Sequence, residues 1–333
     1  DSIKMKRIRL GQLGIGHNHA EGHMEAFRRH PELYEIVGYA ETDESWIRRR
    51  GSLPCYAGVP RLSVEELLEK SDAILVETEV ETILPAAKRC IDAGKPIHLD
   101  KPAGEDLALY ANLLSEAKAK GLPVHLGYLY RTAPAVKKVF SLAESGTLGE
   151  ILYVETAFSA ARSKDYLSYL EHFKGGTMYI FGAHLIDIVL RLMGEPQRVE
   201  SFLYRTGADG CSGIDNATAF LHYPKGVSVI RTSAVEAGGW FRRELTVVGT
   251  EGTVTVMPFE KPTVHWMAKK NGREDYYDKL ADREELVLPT EFDRYAAFPQ
   301  EFYDCLMGKA NPPYDYDYEL TLQRILLEAC QAL

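Results

Sequence analysis

Ile8-Arg9-Leu10-Gly11-Gln12-Leu13-Gly14-Ile15-Gly16-His17-Asn18-His19 is the stretch on which the reading of the fold turns. The apolar run Ile8 to Leu13 reads as a short buried strand, and Ala20 to His30 behind it reads as an amphipathic helix. A strand, a glycine-bearing turn and a helix start form a site for a pyrophosphate. The glycines let backbone pass close to phosphate oxygens, and the first turn of the helix supplies unpaired N–H groups. The pattern is G-x-G-x-x-H, with His19 where a third glycine usually stands. Alone it is a weak signature that an ordinary strand-to-helix turn also explains. The second strand strengthens it. That strand ends Tyr39-Ala40-Glu41, and an acid there accepts hydrogen bonds from ribose hydroxyls and repels a 2′-phosphate. No arginine follows directly, so NAD is favoured over NADP. The plain alternative for Glu41 is a solvated strand end.

Working outward, the chain alternates strand and helix. Strand patterns at Ile8–Leu13, Glu35–Ala40, Ala73–Val76, Ile97–Leu99 and Val124–Tyr128 enclose helical patterns at Ala20–Arg29, Val64–Lys70, Thr82–Ala93 and Leu107–Lys120. Ser63 and Glu66 form a capping box, and Gly94 and Gly121 sit where helices should stop. Alternation of this kind predicts a parallel sheet with helices on both faces. Near residue 130 the character changes. After a helix, Ala135–Glu144, come strand patterns at Ile151–Phe158, Val199–Tyr204, Ala217–His222, Val227–Ala234, Glu244–Val248 and Thr253–Val256. Tyr223-Pro224-Lys225-Gly226 and Gly249-Thr250-Glu251-Gly252 are turn signals between them. One helix, Met178–Met193, interrupts the series, Ser159–Lys174 reads as a loop, and helices near Ala296–Met307 and Tyr318–Ala332 close the chain. The expectation is α/β: an N-terminal Rossmann parallel sheet at 1–127, then an α+β domain at 128–333 with an open, mostly antiparallel sheet. The C-terminal helices are free to pack back on the first domain.

Composition narrows the function. The 333 residues suit about two domains of roughly 150 residues. The formal net charge of −9, without long basic runs, argues against nucleic-acid and membrane-surface binding. Arg48-Arg49-Arg50 reads as the solvated end of a helix. Five scattered cysteines with no C-x-x-C pair indicate neither a disulfide framework nor a zinc knuckle, and a cytoplasmic location fits. No apolar run reaches the roughly 18 residues of a bilayer span, and nothing at the N-terminus resembles a signal peptide. Met5-Lys6-Arg7 reads as a natural start.

Three further groups carry possible chemistry. His17, His19 and His23 invite a metal, since His19 and His23 share a helix face. A metal there competes with the pyrophosphate for space, so none is expected. Asp100-Lys101-Pro102 follows a strand, and ligands of open parallel sheets gather at the carboxyl ends of strands. Lys101 is therefore a catalytic candidate. His184 and Asp187 lie three apart on one helix face, and a histidine suits proton transfer to an alcohol. On its own, His184 reads rather as a helix histidine satisfied locally.

Together these residues resemble the glucose–fructose oxidoreductase/inositol dehydrogenase family of NAD(P)-dependent oxidoreductases. Ala93-Gly94-Lys95-Pro96-Ile97-His98-Leu99-Asp100-Lys101-Pro102 is similar to its A-G-K-x-V-x-x-E-K-P. Tyr128–Pro134 with Gly146-Thr147-Leu148-Gly149 is similar to Y-R-x-x-P then G-x-L-G, and Gly175-Gly176 to Asp187 to G-G-x-x-x-D-x-G-x-H-x-x-D. Leu245 to Gly252 matches the G-T-x-G hairpin. The resemblance implies hydride transfer between a nicotinamide and a hydroxyl-bearing carbon of a sugar or polyol. It implies Lys101 and His184 as catalytic, and Tyr130, Arg131 and Asp187 as substrate-binding. The cofactor set, from loop and resemblance together, is Gly14, Gly16, His17, Asn18, His19, Glu41, Thr78, Asp100, Lys101 and Pro102. The open sheet is expected to carry a homo-oligomer. Two departures stand out. Ile180 occupies the position of the family's catalytic aspartate, and Thr78-Glu79-Val80-Glu81 replaces T-P-N-x. Asp165 is one candidate to replace that aspartate. An NAD-dependent dehydrogenase is the leading expectation, and an NAD-binding sensor without turnover is the alternative that Ile180 suggests.

Overall fold

The structure, a computed structural model, describes residues 6–268, 283–289 and 291–333. The chain divides into two compact units, Asp1–Tyr128 with Tyr295–Leu320, and Leu129–Arg294 with Thr321–Leu333.

In the first unit β1 (Ile8–Leu13), β2 (Tyr34–Ala40), β3 (Ala73–Val76), β4 (Ile97–Leu99) and β5 (Val124–Leu126) form one parallel sheet in the order β2-β1-β3-β4-β5. Ala73, Ile74, Leu75 and Val76 are all fully buried, as a central strand covered on both faces requires. Each such leucine or isoleucine contributes about 1.5–3 kcal/mol by leaving water. Helices α1 (Ala20–Arg28), α2 (Glu44–Arg50), α3 (Val64–Lys70), α4 (Ile83–Asp92) and α5 (Leu107–Lys120) lie between the strands in sequence. The predicted cap forms: the Ser63 hydroxyl accepts from the Glu66 amide at 3.1 Å. Gly121 ends α5 at φ 66°, a left-handed conformation that favours glycine.

The second unit holds α6 (Pro134–Glu144), β6 (Ile151–Ser159), α7 (Lys164–Leu170), α8 (Thr177–Ile180), α9 (Gly182–Met193), β7 (Arg198–Tyr204), β8 (Asn216–Tyr223), β9 (Gly226–Ser233), β10 (Glu244–Gly249), β11 (Gly252–Met257), β12 (Thr263–Ala268) and β13 (Glu284–Val287). Its sheet runs β13-β12-β11-β10-β6-β9-β8-β7, antiparallel except for the parallel pair β6–β9. Val154, Ala217, Ala219, Leu221, Ile230, Leu245, Val247, Val254 and Val256 make the buried row. Alternating neighbours are half-exposed, the mark of a sheet covered on one face. Two helices finish the chain: α10 (Phe298–Leu306) and α11 (Tyr316–Ala329).

Three local readings change. The helix predicted at Met178–Met193 is two helices that part at Phe181. The predicted loop at Ser159–Lys174 contains α7, because Ser163 caps it by accepting from the Tyr166 amide at 3.4 Å. Strands β12 and β13 extend the sheet beyond Val256, where Pro258 and Pro262 interrupt the sequence pattern.

Candidate functional site

Gly14 follows β1 at φ 86°, and a Cβ added there would lie 2.6 Å from the Thr78 Cα. Only glycine lets these two backbones approach so closely. A Cβ on Gly16 would lie 2.9 Å from both the Glu79 Cγ and the Trp46 indole nitrogen, and that indole donates to Glu79. The Glu41 carboxylate, at the end of β2, accepts from the Ile15 amide and the Asp43 amide at 3.0 Å each. Arg50 belongs to the triplet that the sequence presents as a solvated helix end, but its guanidinium donates to the carbonyls of Ile15 (3.0 Å) and His17 (2.7 Å) and to the Asn18 side chain (3.4 Å). Burial lowers its pKa. The run of three arginines hid this, because only the last one of α2 turns toward the glycine loop. Arg61 also donates, to the Glu41 carbonyl at 3.0 Å.

Behind the loop lies a buried cluster that sequence spacing alone does not reveal. His17, His19 and His23 meet Glu77 from the end of β3, His98 from β4 and Asp100 after β4. The His19 amide donates to the His17 Nδ1 at 3.1 Å, so the His17 Nε2 carries the hydrogen and donates to the Lys101 carbonyl at 3.1 Å. Burial pushes the pKa of His17 down to about 3, which keeps it neutral. Asp100, predicted at the cofactor, is fully buried: its Oδ1 accepts from the Lys101 amide at 2.8 Å and lies 3.1 Å from the His19 Nδ1. Glu77 is also fully buried, and burial beside Asp100 raises its pKa well above the usual carboxylate range. Lys101 is buried as well, before Pro102.

In the second unit the predicted substrate residues form a paired network. The Arg131 guanidinium donates twice to Asp187, at 2.8 and 3.0 Å, a buried bidentate pair. The Tyr130 hydroxyl donates to Glu260, which also accepts from Arg243 (3.3 Å) and Arg294 (2.6 Å). Burial, and the charge of Glu260, hold the Tyr130 phenol far above its usual pKa. The Tyr130 and His184 rings meet edge to face at 4.9 Å. Sequence reasoning missed Glu260, Arg243 and Arg294, which follow no local motif. Ile180 is half-buried at the end of α8, and Asp165 is exposed in the first turn of α7.

Residues 136–255 match the family model described as the GFO/IDH/MocA C-terminal domain. The chain is 24% identical over 302 residues to the dTDP-3,4-didehydro-2,6-dideoxy-alpha-D-glucose 3-reductase of Streptomyces violaceoruber, covering 88% of this chain and 84% of the relative. It is 26% identical over 213 residues to the trans-1,2-dihydrobenzene-1,2-diol dehydrogenase of Bos taurus, 60% of each. In fold it is similar to the UDP-N-acetylglucosamine 3-dehydrogenase of Acidithiobacillus ferrooxidans, with a TM-score of 0.80 at 19% identity, covering 99% of this chain and 98% of that one. No helix among the described residues is long and apolar enough to cross a membrane.

Proposed function

We propose that the chain, whose residues 136–255 match the GFO/IDH/MocA C-terminal domain, is an oxidoreductase of that family, and specifically an NAD-dependent dehydrogenase acting on a secondary alcohol or ketone of a sugar, polyol or related compound. The observation that carries the reading is the glycine loop: Gly14 pressed against Thr78, with the Glu41 carboxylate bound to the loop amide of Ile15. These residues fit the cofactor. The loop leads into the start of α1, whose N–H groups and partial positive charge suit a pyrophosphate. Arg50 braces the loop carbonyls, and Glu41 is the acceptor for ribose hydroxyls. His17, Asn18, His19, Asp100 and Pro102 support the loop and the turn that follows β4. Bound NAD supplies the hydride acceptor. The Lys101 ammonium hydrogen-bonds the reacting oxygen and stabilises its developing charge. His184 exchanges the hydroxyl proton, its ring set by the Tyr130 edge. Asp187, oriented by Arg131, accepts hydrogen bonds from substrate hydroxyls.

Calorimetry with NAD and NADP, then NAD reduction across a panel of sugars and polyols, tests this. NAD should bind at least tenfold more tightly, and Glu41→Ala should erase that preference. The Lys101→Ala, His184→Ala double variant should lose on the order of 10²–10⁴ in turnover. Unchanged turnover in the double variant sinks the assignment. Ile180 favours a second reading, a cofactor-binding sensor: NAD binding with no turnover on any substrate and a stable protein partner would select it. Self-association through the eight-stranded sheet belongs to the same proposal. Phe202 and Tyr204 on β7 are 44% and 60% exposed, and sedimentation of the purified chain checks it. Five free thiols, four of them buried, support a cytoplasmic location.

A further inference from the structure

The buried cluster of the first unit contains polar atoms that the protein itself does not satisfy. Both ring nitrogens of His23, both carboxylate oxygens of Glu77, the Nε2 of His98 and the Oδ2 of Asp100 are buried without a hydrogen-bond partner. Buried polar groups left this way are rare in folded proteins, so six such atoms together call for an account.

The surrounding hydrogen bonds determine what these atoms offer. Glu301 can only accept, so the His125 Nε2, 3.3 Å from its Oε2, carries a hydrogen. In neutral His125 the Nδ1 is then an acceptor, and the His98 Nδ1, 2.8 Å away, donates to it. With its hydrogen on Nδ1, the His98 ring leaves on its Nε2, buried without a partner, a bare lone pair. Asp100 is similarly divided: its Oδ1 takes the Lys101 amide and faces His19, while its Oδ2 lies 3.1 Å from the His23 Nε2 without hydrogen-bond alignment. The Glu77 Oε1 is 3.5 Å from the same nitrogen. One ligand atom from each of His23, Glu77 and His98 falls within 4.8 Å of the others. Two ligands held at roughly 2.0–2.2 Å in a tetrahedron lie about 3.3–3.5 Å apart, close to the 3.1 and 3.5 Å that separate the His23 Nε2 from the Asp100 and Glu77 carboxylates.

We propose that His23, His98, Glu77 and Asp100 bind a divalent transition-metal ion with the ligand preferences of zinc. Two neutral imidazoles and two carboxylates balance its charge. All four residues are fully buried, which marks a closed, structural site rather than one with an open position for substrate. Glu301–His125–His98 supplies the outer shell that fixes the ligating nitrogen. His17 stands outside the set, because its Nδ1 already accepts from the His19 amide. That separates the metal from the phosphate loop and removes the spatial conflict that argued against a metal in the sequence. Such an ion would tie α1, β3 and β4 together.

The test uses the full chain without cofactor, so its outcome does not depend on the dehydrogenase reading. Elemental analysis of the purified protein after dialysis should find a stoichiometric metal, and a strong chelator should lower Tm. Cobalt added to chelator-treated protein should give the visible absorption of a tetrahedral site. His125→Phe, which keeps an aromatic ring against Phe298 and Phe302, should weaken zinc binding about 10–100-fold, while His222→Ala on the surface of β8 should leave it unchanged. A chain with no bound metal, no cobalt spectrum and a Tm indifferent to chelator and zinc overturns the proposal, as does a His125→Phe chain that binds zinc as tightly as the parent.

Discussion

Two regions of this molecule bury charge and resolve it in opposite ways. In the second unit every oxygen of the Asp187 carboxylate faces the Arg131 fork, and Glu260 collects Tyr130, Arg243 and Arg294. In the first unit Glu77 and Asp100 sit with four imidazoles, and several polar atoms of the cluster find no partner. Arginine cannot lose its proton in a protein, so it anchors a buried carboxylate permanently. Histidine gives way instead: burial makes it neutral, and a neutral ring offers the carboxylates no compensating charge. The Arg-paired region is complete within the chain. The histidine region is complete only with a cation or a shared proton.

The largest effect that can break this comparison is removal of the arginine. Arg131→Leu should destabilise the protein by about 3–5 kcal/mol, because the buried Asp187 carboxylate loses its bidentate partner. Adding Asp187→Leu should restore most of that loss. Urea unfolding of the single and double variants checks both statements. A single variant as stable as the parent would show that Asp187 does not depend on Arg131.

A smaller effect isolates the glycine loop from the charges behind it. Gly14→Ala meets two penalties: a left-handed φ of 86° and a Cβ 2.6 Å from the Thr78 backbone. The conformational part costs about 1–2 kcal/mol, and the clash adds to it. Gly146 has a similar φ of 78° with nothing near its Cβ, so Gly146→Ala should show the conformational part alone. Calorimetry should then find NAD affinity lowered in Gly14→Ala and retained in Gly146→Ala. Equal Tm losses in the two variants would mean that Thr78 yields to the added methyl.

The same contrast explains what was legible in the sequence. Strand, turn and helix around Gly14 follow from neighbouring residues, so local pattern sufficed for the parallel sheet and for Glu41 beside the loop. The alternation of Leu245 and Val247 along β10, and of Val254 and Val256 along β11, likewise marks the one-sided second sheet. The charge clusters were not legible as clusters. His23 and His98 are 75 residues apart in sequence, and Tyr130 and Glu260 are 130 apart. No periodicity links such positions, since only the folded sheet brings them together. The inward turn of Arg50 is hidden for a related reason: composition records a basic triplet, not which member faces the loop.

Surface charge provides the lower bound of the comparison. Lys225 donates to both oxygens of Glu150, at 2.9 and 2.7 Å, in a geometry as close as that of Arg131 and Asp187. Both partners are more than half exposed, with side-chain exposures of 62% and 56%. Water solvates either charge when the other is removed, and salt screens their attraction. Lys225→Ala should therefore change stability by no more than about 0.2–1 kcal/mol, falling toward zero in high salt. Urea unfolding at low and high ionic strength measures it. A loss approaching that of Arg131→Leu would mean that contact geometry, rather than burial, sets the worth of these pairs, and the contrast between the two buried regions would lose its physical basis.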